Sequence, residues 1–199
     1  WISPFGRNIY LTYGGFIGRQ LPELGGLSLV VGMVVVDVLR AMGLEGVGLK
    51  WPNDILLDGG KLGGILVELR AADTNGIGIV AGVGLNLAFN EKESSSIDQP
   101  WSAIDSQLEM PRNNLLGALG GALVNAVQVF EDVGFDSFAE KWSEYNLYAG
   151  QQVNVVRGSE TISGIDSGVD QEGNLLLRTE AGLEVHNSGE VSVRLAARS

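Results

Sequence analysis

The sequence has no cysteine and a single histidine, His186, among its 199 residues. The absence of cysteine excludes disulfide bonds, thiolate metal sites and a catalytic thiol, and it fits a cytoplasmic protein. A single histidine does not supply a His-based catalytic triad or a histidine zinc cluster. We therefore interpret His186 as a structural or surface residue, and we expect the chemistry to depend on other groups.

Positive charge is also scarce, because 13 Lys and Arg stand against 24 Asp and Glu, a formal net charge of −11. Phosphate backbones are bound by clustered Lys and Arg, and the chain has no basic run. We expect no binding of nucleic acid through this chain.

The longest apolar run, from Leu27 to Met42, is 16 residues long and carries Asp37 and Arg40. It is shorter than a membrane span, and its length separates it from a strand. We interpret it as a core helix with Ser28 as its cap and Gly43 as its stop, and we expect no membrane partner.

Two common nucleotide-binding signatures are missing. The chain contains no G-x-x-x-x-G-K-[ST] motif, and Gly82-Val83-Gly84 lacks the third glycine and the helix of a Rossmann fingerprint. Any nucleotide must therefore be bound in another way.

The most informative segments that are present run from Lys50 to Asp54 and from Lys61 to Glu68. They place two lysines, an amide and a carboxylate around one turn, beside short apolar strands that partly desolvate the ammonium groups. Such an arrangement can hold a phosphate or a carboxylate. The pair Gly63-Gly64 lets a ligand approach the backbone. The alternative is a β-hairpin with a solvated lysine at its turn.

The remaining pattern predicts two units with a boundary near Tyr148 to Gln151. Odd positions between Gly76 and Leu87 are apolar while glycines occupy even ones, which predicts a strand with one packed and one bare face. Close packing and ligand approach both explain that bare face. The polar stretch from Asn90 to Arg112 predicts a long functional or disordered loop. The predicted strands are 8–13, 46–51, 55–57, 62–69 and 76–87, with a Gly-rich loop at 14–26, helices at 113–132 and 136–146, and a small antiparallel barrel from Gln151 onward.

Four segments together resemble the biotin protein ligases. They are Trp1 to Tyr10, Lys50 to Asp54, Lys61 to Glu68, and Gly82 to Asn86, in the family's order. The resemblance covers essentially all of the chain. It implies an α+β fold, with a mixed central β-sheet flanked by helices as in class II synthetases, over residues 1–148. A small Src-homology-like β-barrel is implied for residues 149–199.

The resemblance implies an ATP-dependent ligase. Such an enzyme activates biotin as biotinyl-5'-adenylate and transfers it to a lysine of the biotin carboxyl carrier protein of acetyl-CoA carboxylase. ATP and Mg²⁺ would be required, and a ligand-promoted homodimer is expected. Related lipoate ligases are disfavoured by Trp51 to Asp54 and Ser3 to Gly6, whereas a non-catalytic binding or dimerisation module stays a second alternative.

The resemblance also implies roles for individual residues. The catalytic residues would be Lys61 and Asp54; biotin would contact Tyr10, Lys61, Gly64 and Leu66; the adenylate would contact Trp1, Asn8, Lys50, Asn53, Asn86 and Trp101. Each assignment has an alternative that the residues leave open. Trp1 is also explained as an exposed terminus, Trp101 as a hydrophobic anchor, Asn8 and Asn53 as partners of turn backbones, and Asp54 as a turn former.

The chain departs from the family before Trp1. Family members carry there a Gly- and Arg-rich loop, an upstream strand and helix, and, in bifunctional members that act as repressors, a winged-helix DNA-binding domain. We expect a trimmed N-terminus, because a sheet without its first strands exposes an edge that natural proteins normally cover.

Overall fold

The computed structural model describes residues 8–73, 76–88, 99–104, 111–189 and 191–196. They form two five-stranded sheets and a helical layer. The elements are β1 (Asn8–Ile17), α1 (Leu27–Ala41), β2 (Val47–Lys50), β3 (Asp54–Leu57), β4 (Gly60–Asp73), β5 (Gly76–Asn86), α2 (Arg112–Val133), α3 (Asp136–Ala139), β6 (Gln152–Arg157), β7 (Glu160–Val169), β8 (Leu175–Thr179), β9 (Gly182–His186) and β10 (Ser192–Leu195), with 3₁₀ turns at Leu21–Leu24 and Trp142–Glu144.

The first sheet, here called the central sheet, has the strand order β1-β5-β4-β3-β2. Every neighbouring pair is antiparallel. The prediction of a mixed sheet is therefore wrong for the described strands. The reason is that β2 to β5 follow one another through short turns, and a short turn reverses the chain direction.

The predicted core helix is confirmed. Residues Leu21–Ala41 are long and apolar enough for a membrane span, but 56% of an apolar stretch of 18 residues within them is buried inside the protein. A side chain at Gly32 of α1 would lie 3.0 Å from Ile65 of β4 and from Leu49 of β2, so the helix packs closely on the central sheet. The odd-numbered residues of β5 from Ile79 to Leu85 face this core and are almost completely buried. Ser28 is not the cap: Gly26 precedes the helix, and the Ser28 hydroxyl contacts the Pro52 carbonyl at 3.5 Å.

Two boundaries differ from the prediction. Residues 14–17 continue β1 rather than opening a loop, because they stay in register with Val80 to Ile77 of β5. The predicted helix 136–146 ends at Ala139. The backbone groups after Ala139 bond to β2 instead of continuing the helix: the Leu49 amide donates to the Tyr145 carbonyl, and the Leu147 amide donates to the Leu49 carbonyl. The aromatic residues Trp142 and Tyr145 are buried, which confirms their interpretation as core.

The second sheet, here called the C-terminal sheet, has the strand order β10-β6-β7-β8-β9 and is antiparallel throughout. The predicted barrel is not closed, because no pairing joins β9 to β10 among the described residues. A barrel closes only when its two end strands tilt and pair with each other in a staggered register. The end strands β9 and β10 are short, with five and four residues, and so have few backbone groups to offer for that pairing. The division of the chain into domains at 148 and 149 stays a prediction.

A buried polar pair connects the two sheets. The Asn146 side-chain amide donates to both carboxylate oxygens of Asp166 at 3.1 Å. Burial raises the pKa of Asp166, while hydrogen bonds from Asn146 and from the Gly168 amide oppose that shift. The chain that leaves the central sheet is thereby fixed to β7.

Candidate active site at the end of the central sheet

The charged centre of the site is Asp54, which lies between two lysines. Its carboxylate is 2.6 Å from the Lys50 Nζ and 2.6 Å from the Lys61 Nζ. The side chains of Lys50, Asp54 and Lys61 are 13%, 11% and 24% exposed, so all three are partly desolvated. Two ammonium groups around one carboxylate leave an excess positive charge in a protein that is acidic overall.

A β-bulge places Lys61 beside Asp54. Ile55 pairs with Gly63, but Leu56 pairs with Lys61, so Leu62 is the extra residue in β4. Since side chains alternate between faces, a regular register would have turned Lys61 toward the core. The bulge instead lets Leu62 be fully buried while Lys61 reaches Asp54.

The turn between Lys50 and Asp54 is fixed on two sides. On the central sheet, the Asn53 side-chain amide donates to the Ile65 carbonyl at 3.0 Å, and the Ile65 amide donates to the Asn53 carbonyl at 2.9 Å. On the other side, the Trp51 indole N–H donates at 3.0 Å to the carbonyl of Gly173, in the connection between β7 and β8 of the C-terminal sheet. The two charged residues that flank the turn are thereby held in a defined geometry.

The main chain of Lys61 is fixed by the segment that carries Trp101. The Lys61 amide donates to the Pro100 carbonyl at 2.9 Å, and the Ser102 amide donates to the Lys61 carbonyl at 3.0 Å. Lys61 and Trp101 thus form a parallel bridge. The Asn86 side-chain amide donates to the carbonyls of both Lys61 and Ser102 at 3.2 Å.

An apolar trough of about 370 Å³ runs along the open face of the central sheet from the charged centre. Its floor is β5, where Gly84 lies between Tyr10 and Gly64 of the adjacent strands. In the next row Gly82 lies beside Leu66, and a Cβ added at Gly82 would have its nearest neighbour at 3.7 Å. The bare face predicted for this strand therefore opens into a cavity with the half-exposed Tyr10 and the exposed Leu66 as walls.

A larger cleft of about 640 Å³ separates the charged centre from the C-terminal sheet. Tyr148 and residues 191–195, which include β10, line its far side. Burial, and then the charge of Asp54, raise the pKa of Tyr148. Asn53, Asp54 and Lys61 line both the trough and the cleft. A ligand in either cavity therefore reaches the same charged groups.

The structure brings together most of the residues singled out in the sequence. Lys50, Asn53, Asp54 and Lys61 meet at the charged centre, with Trp101 bridged to Lys61. Tyr10, Gly64 and Leu66 lie along the trough. Trp1 lies outside the described residues.

Asn8 and Asn86 are almost completely buried, and the structure uses their amides to position other groups. The Asn8 amide donates to the Tyr10 hydroxyl at 3.1 Å and accepts from the Leu87 amide at 3.2 Å. Their predicted contact with an adenylate stays a prediction. Sequence reasoning missed Tyr148 and β10 because they lie far along the chain and no local signal relates them to Lys61.

The described residues contain no group of three or more His, Cys, Asp or Glu side chains that could hold a metal ion. Near the charged centre, Asp54 is the one carboxylate that lines the cavities among the described residues, and both of its oxygens contact lysines. A divalent ion would therefore fit only as an ion brought in largely by the oxygens of a bound ligand.

Comparison with known proteins identifies the family. A model of the "Biotin/lipoate A/B protein ligase family" matches residues 3–86, and a model of the "Biotin protein ligase C terminal domain" matches residues 148–194. The Bifunctional ligase/repressor BirA of Escherichia coli is 35% identical over 199 residues, which are 100% of this chain and 62% of that protein. The Biotin–[acetyl-CoA-carboxylase] ligase of Mycobacterium tuberculosis is 31% identical over 197 residues, 96% of this chain and 71% of that protein.

A solved structure shares the fold. The crystal structure of biotin protein ligase from Aquifex aeolicus is 25% identical, with a TM-score of 0.79 over 95% of this chain and 82% of that chain. The chain spans 62% of the length of the Escherichia coli relative. With both family models in the expected order and a relative matched over most of its length, the chain belongs to the biotin protein ligase family.

Proposed function

We propose that this chain is the catalytic region of an ATP-dependent ligase that converts biotin to biotinyl-5'-adenylate and transfers the biotinyl group to a lysine of the biotin carboxyl carrier protein of acetyl-CoA carboxylase. The observation that carries the proposal is the Lys50–Asp54–Lys61 centre between an apolar trough and a polar cleft. The names and family models of its relatives support the same reaction.

In the first step the biotin carboxylate attacks the α-phosphorus of ATP and pyrophosphate leaves. Two anions must approach each other, so the protein has to neutralise charge and hold the reactants in line. Lys61 lines both cavities and is assigned to the biotin carboxylate and the α-phosphate. Lys50 adds a second positive charge on the cleft side.

The second step is attack of the acceptor lysine amine on the carbonyl carbon of the acyl adenylate, with AMP as the leaving group. No nucleophile from the protein is needed. The amine loses a proton as the amide bond forms, and Asp54 is the group assigned to orient that amine. When anions occupy the site, the lysines have new partners and the Asp54 carboxylate can turn to the incoming amine.

Biotin is assigned to the trough, because its thioether ring and aliphatic chain are apolar and match the bare strand β5 and the walls Tyr10 and Leu66. The nucleotide is assigned to the side of Lys61 where Trp101 lies. Mg²⁺ would arrive on the phosphates of ATP, where it neutralises their charge. The family model for the C-terminal domain, which is that of biotin protein ligases, favours biotin over lipoate.

The partners beyond biotin and ATP are part of the proposal. The acceptor protein would reach Asp54 through the cleft, and two chains would associate as a ligand-promoted homodimer in the cytoplasm. Transcriptional repression would require a DNA-binding domain in the intact protein.

The test is calorimetric titration of the protein with biotinyl-adenylate, biotin and lipoate, combined with an assay of pyrophosphate release. We expect tight binding of biotinyl-adenylate, weaker binding of biotin, and pyrophosphate release from ATP when biotin is present but not when lipoate replaces it. A preference for lipoate would assign the chain to the lipoate ligases. Binding without any pyrophosphate release from the intact protein would assign it to non-catalytic modules.

A further inference from the structure

Trp51 connects the catalytic turn to a distant part of the chain. Its indole is 1% exposed, and its N–H donates to the Gly173 carbonyl, 122 residues further along the sequence. Gly173 belongs to the connection between β7 and β8, residues Asp170–Asn174, here called the Asp170 loop. The charged residues Lys50 and Asp54 flank Trp51 in a turn of five residues.

The Asp170 loop is built to present that carbonyl in one direction. The Asp170 carboxylate accepts from the Glu172 amide at 3.0 Å, and from the amide and side chain of Asn174 at 2.8 and 2.9 Å. The Gly173 amide donates to the Asp170 carbonyl at 3.1 Å, and the backbone φ of Gly173 is +81°. The acceptor of Trp51 is therefore ordered by the loop's own hydrogen bonds.

The loop also has no room to shift toward the helix. A Cβ at Gly173 would lie 2.6 Å from the Gly26 Cα, and a Cβ at Gly25 would meet the Glu172 carbonyl oxygen. Backbone thus packs on backbone where α1 begins. A buried indole N–H that lost its partner here would be left unsatisfied, so the contact constrains the turn as well as the loop.

We propose that the Asp170 loop is a positioning element of the active centre, which acts through Trp51 to hold Lys50 and Asp54 in the geometry needed for adenylate formation. Trp51 lines neither cavity, so it is a positioning residue and makes no contact with substrate. The inference rests on the proposed function and goes beyond it, because it makes a loop of the C-terminal sheet part of the catalytic apparatus.

The first test is Trp51→Phe, which keeps an aromatic ring and removes the donor. We expect the kcat of adenylate formation, measured as pyrophosphate release in the intact protein, to fall about tenfold or more, because small misplacements of catalytic groups cost that much. The KM for biotin should change less than about threefold, since the floor and walls of the trough, Gly82, Tyr10 and Leu66, lie outside the turn. Rates are expressed per active site, counted by titration with biotinyl-adenylate.

The second test is Asp170→Ala, which loosens the loop without touching Trp51 or a cavity. It should reproduce the loss of kcat. The kcat of the double variant Trp51→Phe/Asp170→Ala should fall no further than that of the more affected single variant, because both changes act on the same contact. Ser163→Ala is the matched control: it removes a side-chain hydrogen bond to Asn154 in the same sheet, and it should keep the wild-type kcat.

Several outcomes would overturn the inference. The first is a wild-type kcat per active site in Asp170→Ala, and the second is a double variant in which the two losses of kcat multiply. The third is a fall in the number of active sites while kcat per site is unchanged, because that is the result expected if the contact has a purely structural role. If Trp51→Phe does not fold, Asp170→Ala decides. A wild-type protein that releases no pyrophosphate would overturn the proposed function and this inference together, whereas an active wild type with unaffected variants overturns the inference alone.

Discussion

Asp54 is the residue on which the electrostatics of the site depend. It is buried and would be costly to bury alone, but the ammonium groups of Lys50 and Lys61 surround it. Buried pairs of this kind contribute little net stability, because desolvation offsets the attraction. We therefore expect this arrangement to serve the proposed reaction, by holding two cations where its anionic substrates would meet.

At this scale we predict that Lys61→Gln lowers the kcat of adenylate formation by about 10²- to 10³-fold, the usual loss when a preorganised group that stabilises a developing charge is removed. The fold should persist, since Lys50 still pairs with Asp54. Pyrophosphate release and thermal unfolding measure the two effects. Lys141→Gln, at an exposed lysine that lines neither cavity, is the control. Adenylate formation at the wild-type rate in Lys61→Gln would remove Lys61 from its proposed role.

Gly82 offers a separate test of the trough. Gly82→Val adds a side chain to the bare face of β5, where space is open at the Cβ and a β-branched residue suits a strand. We expect biotin affinity, measured by calorimetry, to fall about tenfold or more, or roughly 1.4 kcal/mol. Gly14→Val introduces the same side chain in β1, with nothing within 4 Å and outside the trough, and should bind biotin normally. Equal affinity in the two variants would show that biotin binds elsewhere.

Among the elements, the segment from Tyr145 to Tyr148 matters because it joins the sheets. Its backbone bonds to Leu49 of β2, and Asn146 bonds to Asp166 of β7. The same segment is tied to α1, since the Tyr145 hydroxyl donates to the Asp37 carboxylate at 2.9 and 3.1 Å. Three elements are thereby fixed by four residues.

This segment gives a prediction that depends on pH. Burial raises the pKa of Tyr145 from its usual value of 10.0 to about 12, and the hydrogen bond to Asp37 and the negative charge of Asp37 add to this shift. Because the folded pKa is the higher one, the folded state holds its proton more tightly and stability falls as pH rises from 10 to 12. Tyr145→Phe should cost about 1 kcal/mol at neutral pH, through the lost hydrogen bond.

Urea unfolding of both proteins across a pH series is the measurement. The stability advantage of the wild type should be constant below the ordinary pKa of tyrosine and should shrink as pH rises through the folded value. An advantage that stays constant throughout that alkaline range would contradict the assignment of the Tyr145–Asp37 hydrogen bond as its source.

For the whole molecule, the alternating glycines of β5 predict a strand that pairs either with a neighbouring element of the same fold or across a twofold axis with a second copy. The structure supplies the neighbouring elements: β5 is central, and β1 and β4 pair with it on its two sides. Its backbone groups are used within the sheet, so a second copy cannot pair with its edge. A homodimer that involves β5 would therefore use its open face, where Phe16 is half exposed near Gly78.

We predict that Gly78→Lys weakens a ligand-promoted homodimer, because it sets like charges close together on that face, next to Arg70. Sedimentation with and without biotinyl-adenylate measures it. Val124→Lys, at an exposed position of α2 in the helical layer, adds the same charge elsewhere and should associate like the parent. If Gly78→Lys also associates like the parent, the interface does not include this face.

Much of the fold was predictable because its signals are local. A long apolar run gave α1, alternation gave β5, and the turn between Lys50 and Asp54 located the charged centre within a few residues. These patterns depend on side-chain periodicity and on neighbours in the chain. The prediction of a helix over 136–146 was wrong because its outcome depends on a contact that is not local. Leu49, nearly a hundred residues earlier, forms hydrogen bonds with the backbone on both sides of Asn146.

By itself, the sequence determined which groups could be brought together in a site: two lysines and a carboxylate around one turn, and glycines along one face of a strand. The tertiary structure decided where those groups point and what faces them. The bulge at Leu62 turns Lys61 toward Asp54, β10 closes the far side of the cleft, and Gly173 receives the Trp51 hydrogen bond. These contacts join residues far apart in the chain, and their geometry is set by the packing of the two sheets, which no local pattern encodes.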